Sequence, residues 1–208
     1  MSRLPRRFYE RSSVEVADDL LGALVRHAGV TVRLTEVEAY DGANDPASHA
    51  YRGETARNAV MFGRPGHAYV YFTYGMHFCV NLVCGEAGTA SAVLLRAGEV
   101  VAGLDVATGR RPRSTVRDLA RGPARLTQAL AIGRELSGAD VTAAGSPLQV
   151  HRGRPADPQQ IRRGPRVGVT AAADRPWRVW LADEPTVSVY RRHVRRQRPG
   201  RTAECAGD

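Results

Sequence analysis

Two glutamates two positions apart, Glu36 and Glu38, stand near the end of a run written VTVRLTEVEAY over residues 30–40. Val30, Val32 and Leu34 alternate with Thr31, Arg33 and Thr35, the period of a strand with one apolar face. Continued unbroken, that alternation sets Glu36 and Glu38 on the apolar face, where a carboxylate is costly unless paired or put to use. A carboxylate so placed can orient a water and stabilise developing positive charge. Acids two apart on a strand also lie roughly 6.5–7 Å apart at their backbone, so an acid/base pair acting on a glycoside fits the spacing too. The plain alternative is a strand that runs out of the sheet and leaves both acids solvated. Tyr40, His49, Tyr71, Tyr74, Asn81 and Arg96, further along the chain, weigh against it.

Those side chains need elements to hold them. Ser12-Ser13-Val14-Glu15 fits a capping box, and Val16, Ala17, Leu20 and Leu21 supply the apolar stripe of a short helix ending at Gly22. Leu24–His27 and Val30–Ala39 read as strands joined by a hairpin turn at Ala28-Gly29. The connection 41–67 carries His49, Arg52, Arg57 and Asn58, and a loop of that length in a compact domain is functional or disordered. In His67–Val83, Ala68, Val70 and Phe72 line one face and Tyr69, Tyr71 and Thr73 the other. Matching these to Phe78, Val80 and Leu82 on the returning strand requires an odd loop, Tyr74-Gly75-Met76. Tyr71 and Asn81 then become neighbours and Tyr74 is lifted to the hairpin tip, a way to enter a base stack. Ala90–Arg96 is a further strand, Gly122-Pro123 opens a helix to Ile132, and Val141–Arg152 suggests a weak hairpin. Arg166–Thr170 and Trp177–Leu181 read as two last strands.

Composition bounds the partner. The 208 residues carry a formal net charge of +9 with no lysine at all, which favours a polyanion: nucleic acid before an anionic membrane. Cys79, Cys84 and Cys205 make neither a disulfide framework nor a zinc site. No signal-peptide core and no run of transmembrane length is present, so a cytoplasmic protein is expected. Residues 1–11 read as a basic, poorly ordered arm, 12–190 as one domain, and 191–208, with six arginines, as a disordered tail.

TEVEAY, the His49 loop, YVYFTYGMHFCVN and the strand ending in Arg96 resemble the alkyladenine (3-methyladenine) DNA glycosylase family. GPARLTQALAI, PRVGV and PWRVW extend the resemblance over about 18–189. It implies an α+β fold: one mixed domain with a curved, largely antiparallel sheet, flanking short helices and a protruding β-hairpin. It further implies a monomer without metal or cofactor, nucleoid-associated if bacterial. Its substrate is double-stranded DNA, from which damaged purines such as 3-methyladenine, 7-methylguanine, hypoxanthine and ethenoadenine are flipped and excised. Carried over by position, Glu38 is the catalytic carboxylate that activates water and Arg96 helps hold that water. Tyr40 and His49 form one wall of the base pocket, Tyr71 the opposing wall, Asn81 stands beside the base, and Tyr74 fills the gap in the duplex. Glu36 is expected to serve structure by pairing with an arginine. Ala124 stands where many members have glycine. Without a lysine no lysine Schiff-base lyase step is available, and the expected product is an intact abasic site. A non-catalytic DNA-binding module and a carboxylate-pair glycoside hydrolase are the competing readings.

Overall fold

The structure is a computed structural model, and it describes residues 2–73 and 75–190. Tyr74, expected as the hairpin-tip wedge, and the arginine-rich stretch 191–208 lie outside the described residues. The sheet is built around β2 (Val30–Asp41). β1 (Leu24–His27) pairs with its first half through a two-residue turn, Ala28 (φ 44°) and Gly29 (φ 82°), both left-handed as such a hairpin requires. β5 (Ser91–Ala102) covers the whole other edge of β2, followed by β4 (His77–Cys84) and β3 (Ala68–Thr73). β6 (Gln149–His151) pairs with β1. Where β1 ends, β8 (Arg178–Leu181) takes over the edge of β2 at Glu36–Glu38, and β7 (Ile161–Gly164) pairs with β8. Every one of these pairings is antiparallel, and the fold is the expected α+β with a mostly antiparallel open sheet.

The helices are short: α1 (Arg6–Tyr9), α2 (Ser13–Leu20), α3 (Leu104–Arg110) and α4 (Pro123–Leu130). α2 starts at the anticipated capping box, Ser12 accepting from the Glu15 amide while Glu15 accepts from the Ser12 amide. Val16, Ala17 and Leu20 of α2 and Leu126, Ala129 and Leu130 of α4 join Val30, Val32 and Leu34 in one core. Each of these valines and leucines contributes roughly 1.5–3 kcal/mol by burial.

The alternation on β2 does not continue unbroken. Leu34 pairs with Gly98 and Glu36 with Ala97, leaving Thr35 without a partner on β5; Glu36 to Val37 then skips Arg96. These two irregularities flip the parity of both strands. Val37 and Ala39 therefore enter the core with Val30, Val32 and Leu34, whereas Glu36 and Glu38 turn to the opposite face. That face is not solvent, for both acids are fully buried.

Three further expectations need correction. Residues 2–11 are not a poorly ordered arm: Leu4 donates its amide to Val150, Arg152 donates to Ser2, and Tyr9 is fully buried. The apolar anchors Leu4 and Tyr9 outweigh the arginines around them. Residues 166–170 are not a strand; β7 lies five residues earlier, and Gly168 (φ 75°) carries the chain away from the sheet. In 141–152 only β6 is a strand, because Asp140 captures the Thr142 amide and hydroxyl and turns the chain, leaving β6 to pair with β1.

Candidate active site

Sheet register sets out the site as a row. Tyr69 opposes Asn81, Asn81 opposes Leu94, Leu94 opposes Glu38, and Glu38 opposes Arg178, so all five project on one face. The hairpin has the predicted odd loop: Tyr71 opposes Cys79 and Thr73 opposes His77. A cavity of about 500 Å³ opens over this face, lined among others by Tyr40, His49, Tyr71, Asn81, Leu94 and Arg96. Five of the seven residues singled out from the sequence, Tyr40, His49, Tyr71, Asn81 and Arg96, line this one space; Glu38 does not line it, and Tyr74 lies outside the described residues.

Glu38 lies just behind the wall. Its Oε2 accepts from the Tyr40 hydroxyl (2.9 Å) and from Arg96 Nη1 (3.3 Å), and its Oε1 accepts from the Val167 amide (2.7 Å). Tyr40, Arg96 and Val167 all line the cavity, so the void ends at the groups that hold this acid. A carboxylate has about four acceptor positions, and the described residues fill three of them, leaving one on Oε1. Burial, then the neighbouring Glu38 charge, push the Tyr40 hydroxyl well above its usual pKa, which keeps it a donor.

Glu36 is held differently. Arg96 Nε (2.8 Å), Arg178 Nε (2.7 Å), the Ser188 hydroxyl (2.9 Å) and the Ser188 amide (2.6 Å) all donate to it. Burial alone would raise its pKa; the charges of Arg96 and Arg178 and these hydrogen bonds outweigh that and hold it below the usual value. An acid so engaged has no proton to give, which removes Glu36 as the general acid of a glycosidase pair. Arg96, buried between both glutamates, stays protonated, their charges outweighing the loss of solvent.

The aromatic wall differs in detail from the sequence-based expectation. The His49 and Tyr71 rings touch edge-on, with centroids 4.5 Å apart at 80°, while Tyr69 stacks on Tyr71 at 5.5 Å and 27°. A flat ligand sandwiched between His49 and Tyr71 needs them about 7 Å apart, twice a van der Waals contact. His49 is kept below its ordinary pKa by burial and then by the Arg57 charge, and so is neutral at pH 7. Asn58 anchors this loop, its Nδ2 donating to the His49 carbonyl (2.9 Å), and the Asn81 amide donates to the Tyr69 carbonyl (3.2 Å).

Sequence reasoning missed several participants. Arg166, fully buried, forms a two-pronged pair with Asp45 (2.8 Å for Nη2 to Oδ1), donates to the Ala39 carbonyl and lies 4.6 Å over the Tyr40 ring. It ties the loop leading to His49 to the strand carrying Glu38. The Val167 amide, Arg178 and Ser188 were equally invisible, since they reach the acids from more than a hundred residues away. Only the glutamate spacing could have hinted at them, because a buried carboxylate demands donors.

A family model described as methylpurine-DNA glycosylase matches residues 7–185. A relative from Streptomyces avermitilis is 54% identical over 202 residues, covering 94% of this chain and 95% of its own. Another, from Frankia casuarinae, is 58% identical over 191 residues, covering 87% and 90% respectively. Both relatives carry the provisional name 3-methyladenine DNA glycosylase.

Proposed function

Because the chain belongs to the methylpurine-DNA glycosylase family and is thus a DNA glycosylase hydrolysing N-glycosidic bonds, we propose that it releases alkylated or deaminated purines through a water activated by Glu38. The observation that carries this reading is the Glu38 carboxylate: sealed from bulk solvent, oriented by three donors, with an open acceptor position on Oε1 beside an aromatic-lined cavity.

The steps follow from that geometry. A damaged purine leaves the duplex at a cost of a few kcal/mol, least where pairing is already weak, and enters the cavity. Its volume, about 500 Å³, lies within the range of small-molecule sites. Alkylation at N3 or N7 makes the base a cation, which the faces of Tyr40 and Tyr71 attract by about 0.5–2 kcal/mol. As the glycosidic bond breaks, its electron pair goes to the base, an alkylated base leaving neutral and a deaminated one as an anion that takes a proton from water, and the sugar gains oxocarbenium character. Glu38 stabilises that charge and orients the attacking water, then accepts its proton. Tyr40, protonated throughout, and Arg96 keep the carboxylate aimed. No lysine stands ready to attack the sugar, so the strand is left unbroken at an abasic site.

The reading is tested with duplex oligonucleotides carrying hypoxanthine, ethenoadenine, 3-methyladenine or 7-methylguanine. Free base released from at least one of them, with the backbone intact until alkali is added, is the expected result. Release from none, or strand cleavage coupled to release, contradicts it.

A further inference from the structure

The segment 184–188 runs beside the bulged part of β2 and touches it repeatedly. Glu184 pairs with Arg33 (2.7 Å), the Thr186 hydroxyl meets that of Thr35 (3.0 Å), and Ser188 caps Glu36 through its amide and hydroxyl. Arg121 fastens the same segment from the other side by donating to the Val187 carbonyl (2.8 Å), and Arg178 donates to the Ser188 carbonyl (2.8 Å). Thr35 is the residue left over by the bulge, so the anchor sits where the sheet changes parity.

The contacts have a consequence for Arg96, which is shared unequally between two acids. Its Nε lies 2.8 Å from Glu36, but its Nη1 is 3.3 Å from Glu38. Its remaining nitrogen, Nη2, reaches toward the Ser188 hydroxyl at 3.4 Å. Arg178 supplies a second positive charge to Glu36, so the cluster of two carboxylates and two guanidiniums is neutral. Were Glu36 lost, the existing Arg96–Glu38 ion pair would have no competitor; Arg96 would swing further onto Glu38, reach its Oε1 side and set more positive charge against the cationic sugar.

We propose that Glu36 and Ser188 are positioning residues that hold Arg96 to its 3.3 Å contact on Oε2 of Glu38 and so keep it off the open acceptor position on Oε1. Ser188 lies beyond the stretch 7–185 matched by the family model. The proposal rests on the reading of Glu38 as the water-activating group.

Ser188→Ala, Ser188→Thr, Glu36→Gln and Glu38→Gln are compared by single-turnover base release, by binding to the same lesion-bearing duplex and by thermal melting. Ser188→Ala is expected to slow release about tenfold and Glu36→Gln about a hundredfold, the scale of a misplaced reacting group. Binding should stay within about twofold in both, and Ser188→Thr, which keeps the hydroxyl, should recover most of the rate. If Glu36→Gln does not fold, the Ser188 pair decides. Wild-type release by Ser188→Ala, or release, binding and melting temperature falling together, overturns the positioning role. If Ser188→Ala is fully active while Glu38→Gln is dead, only this proposal fails. Full activity in Glu38→Gln removes the underlying reading as well.

Discussion

Glu36 is held between two guanidiniums and Ser188, whereas Glu38 meets one guanidinium at 3.3 Å, and that difference in charge pairing separates the two acids. The expected pairing of Glu36 with an arginine is present, because two buried acids on one strand require at least one cation. Which cations could not be read, since Arg96 and Arg178 arrive by sheet pairing. Asp45 and Arg166 are a second buried pair, and burial there is outweighed by the Arg166 charge, which holds the Asp45 carboxyl below its usual pKa. Asp45→Ala should lower stability by about 3–5 kcal/mol, because it strands Arg166 without a partner; the shift of the urea midpoint measures it. Asp140 gives a pH prediction. Partial burial opposes its charge, yet hydrogen bonds from Thr142 and the Arg6 guanidinium lower its pKa from 3.8 to about 2. A carboxyl depressed in the folded state contributes fully above its unfolded value and loses that contribution as pH falls toward its folded one. Its share should therefore fade between pH 3.8 and about 2, and Asp140→Asn should flatten the stability curve in that window.

At the scale of elements, the hairpin β3–β4 was readable to the register because its two alternations meet only through an odd loop. The parity change in β2 was not, because a bulge belongs to a pair of strands: Thr35 is left over only when Gly98 and Ala97 stand opposite its neighbours. Gly98 makes this approach possible, since a Cβ there would lie 2.3 Å from the Arg33 carbonyl oxygen and 2.4 Å from Val32 Cγ1. Gly98→Ala should therefore cost about 1–3 kcal/mol and slow base release as well, because Arg96 sits two residues away. Thermal melting beside single-turnover kinetics checks both parts; unchanged values would mean the strands do not approach so closely. The apolar anchors of residues 2–11 escaped notice for a simpler reason. Two buried side chains were outnumbered by arginines in a window judged by charge.

For the molecule as a whole, a net charge of +9 on 208 residues gives a field that draws a polyanion without selecting its sequence. Among the described residues no helix is long and apolar enough to cross a membrane. Duplex binding should weaken steeply with salt, on the order of 10³-fold between 50 and 200 mM if six or more phosphates are contacted. A flat response in a titration series would show that the arginines face something other than DNA. The same titration with undamaged duplex should give a parallel slope, because the charge term carries no lesion information. On the proposed reading, selectivity is left to the cavity and chemistry to the acid behind it.

Single-turnover release of hypoxanthine from duplex DNA by the wild-type chain and by Glu38→Gln, at protein concentrations that saturate binding in both, tests the central claim most directly. The account predicts that the variant still binds the lesion-bearing duplex while its rate falls by about 10²–10⁴-fold, the range of a lost general base. Release at the wild-type rate by a folded, saturated Glu38→Gln would contradict it.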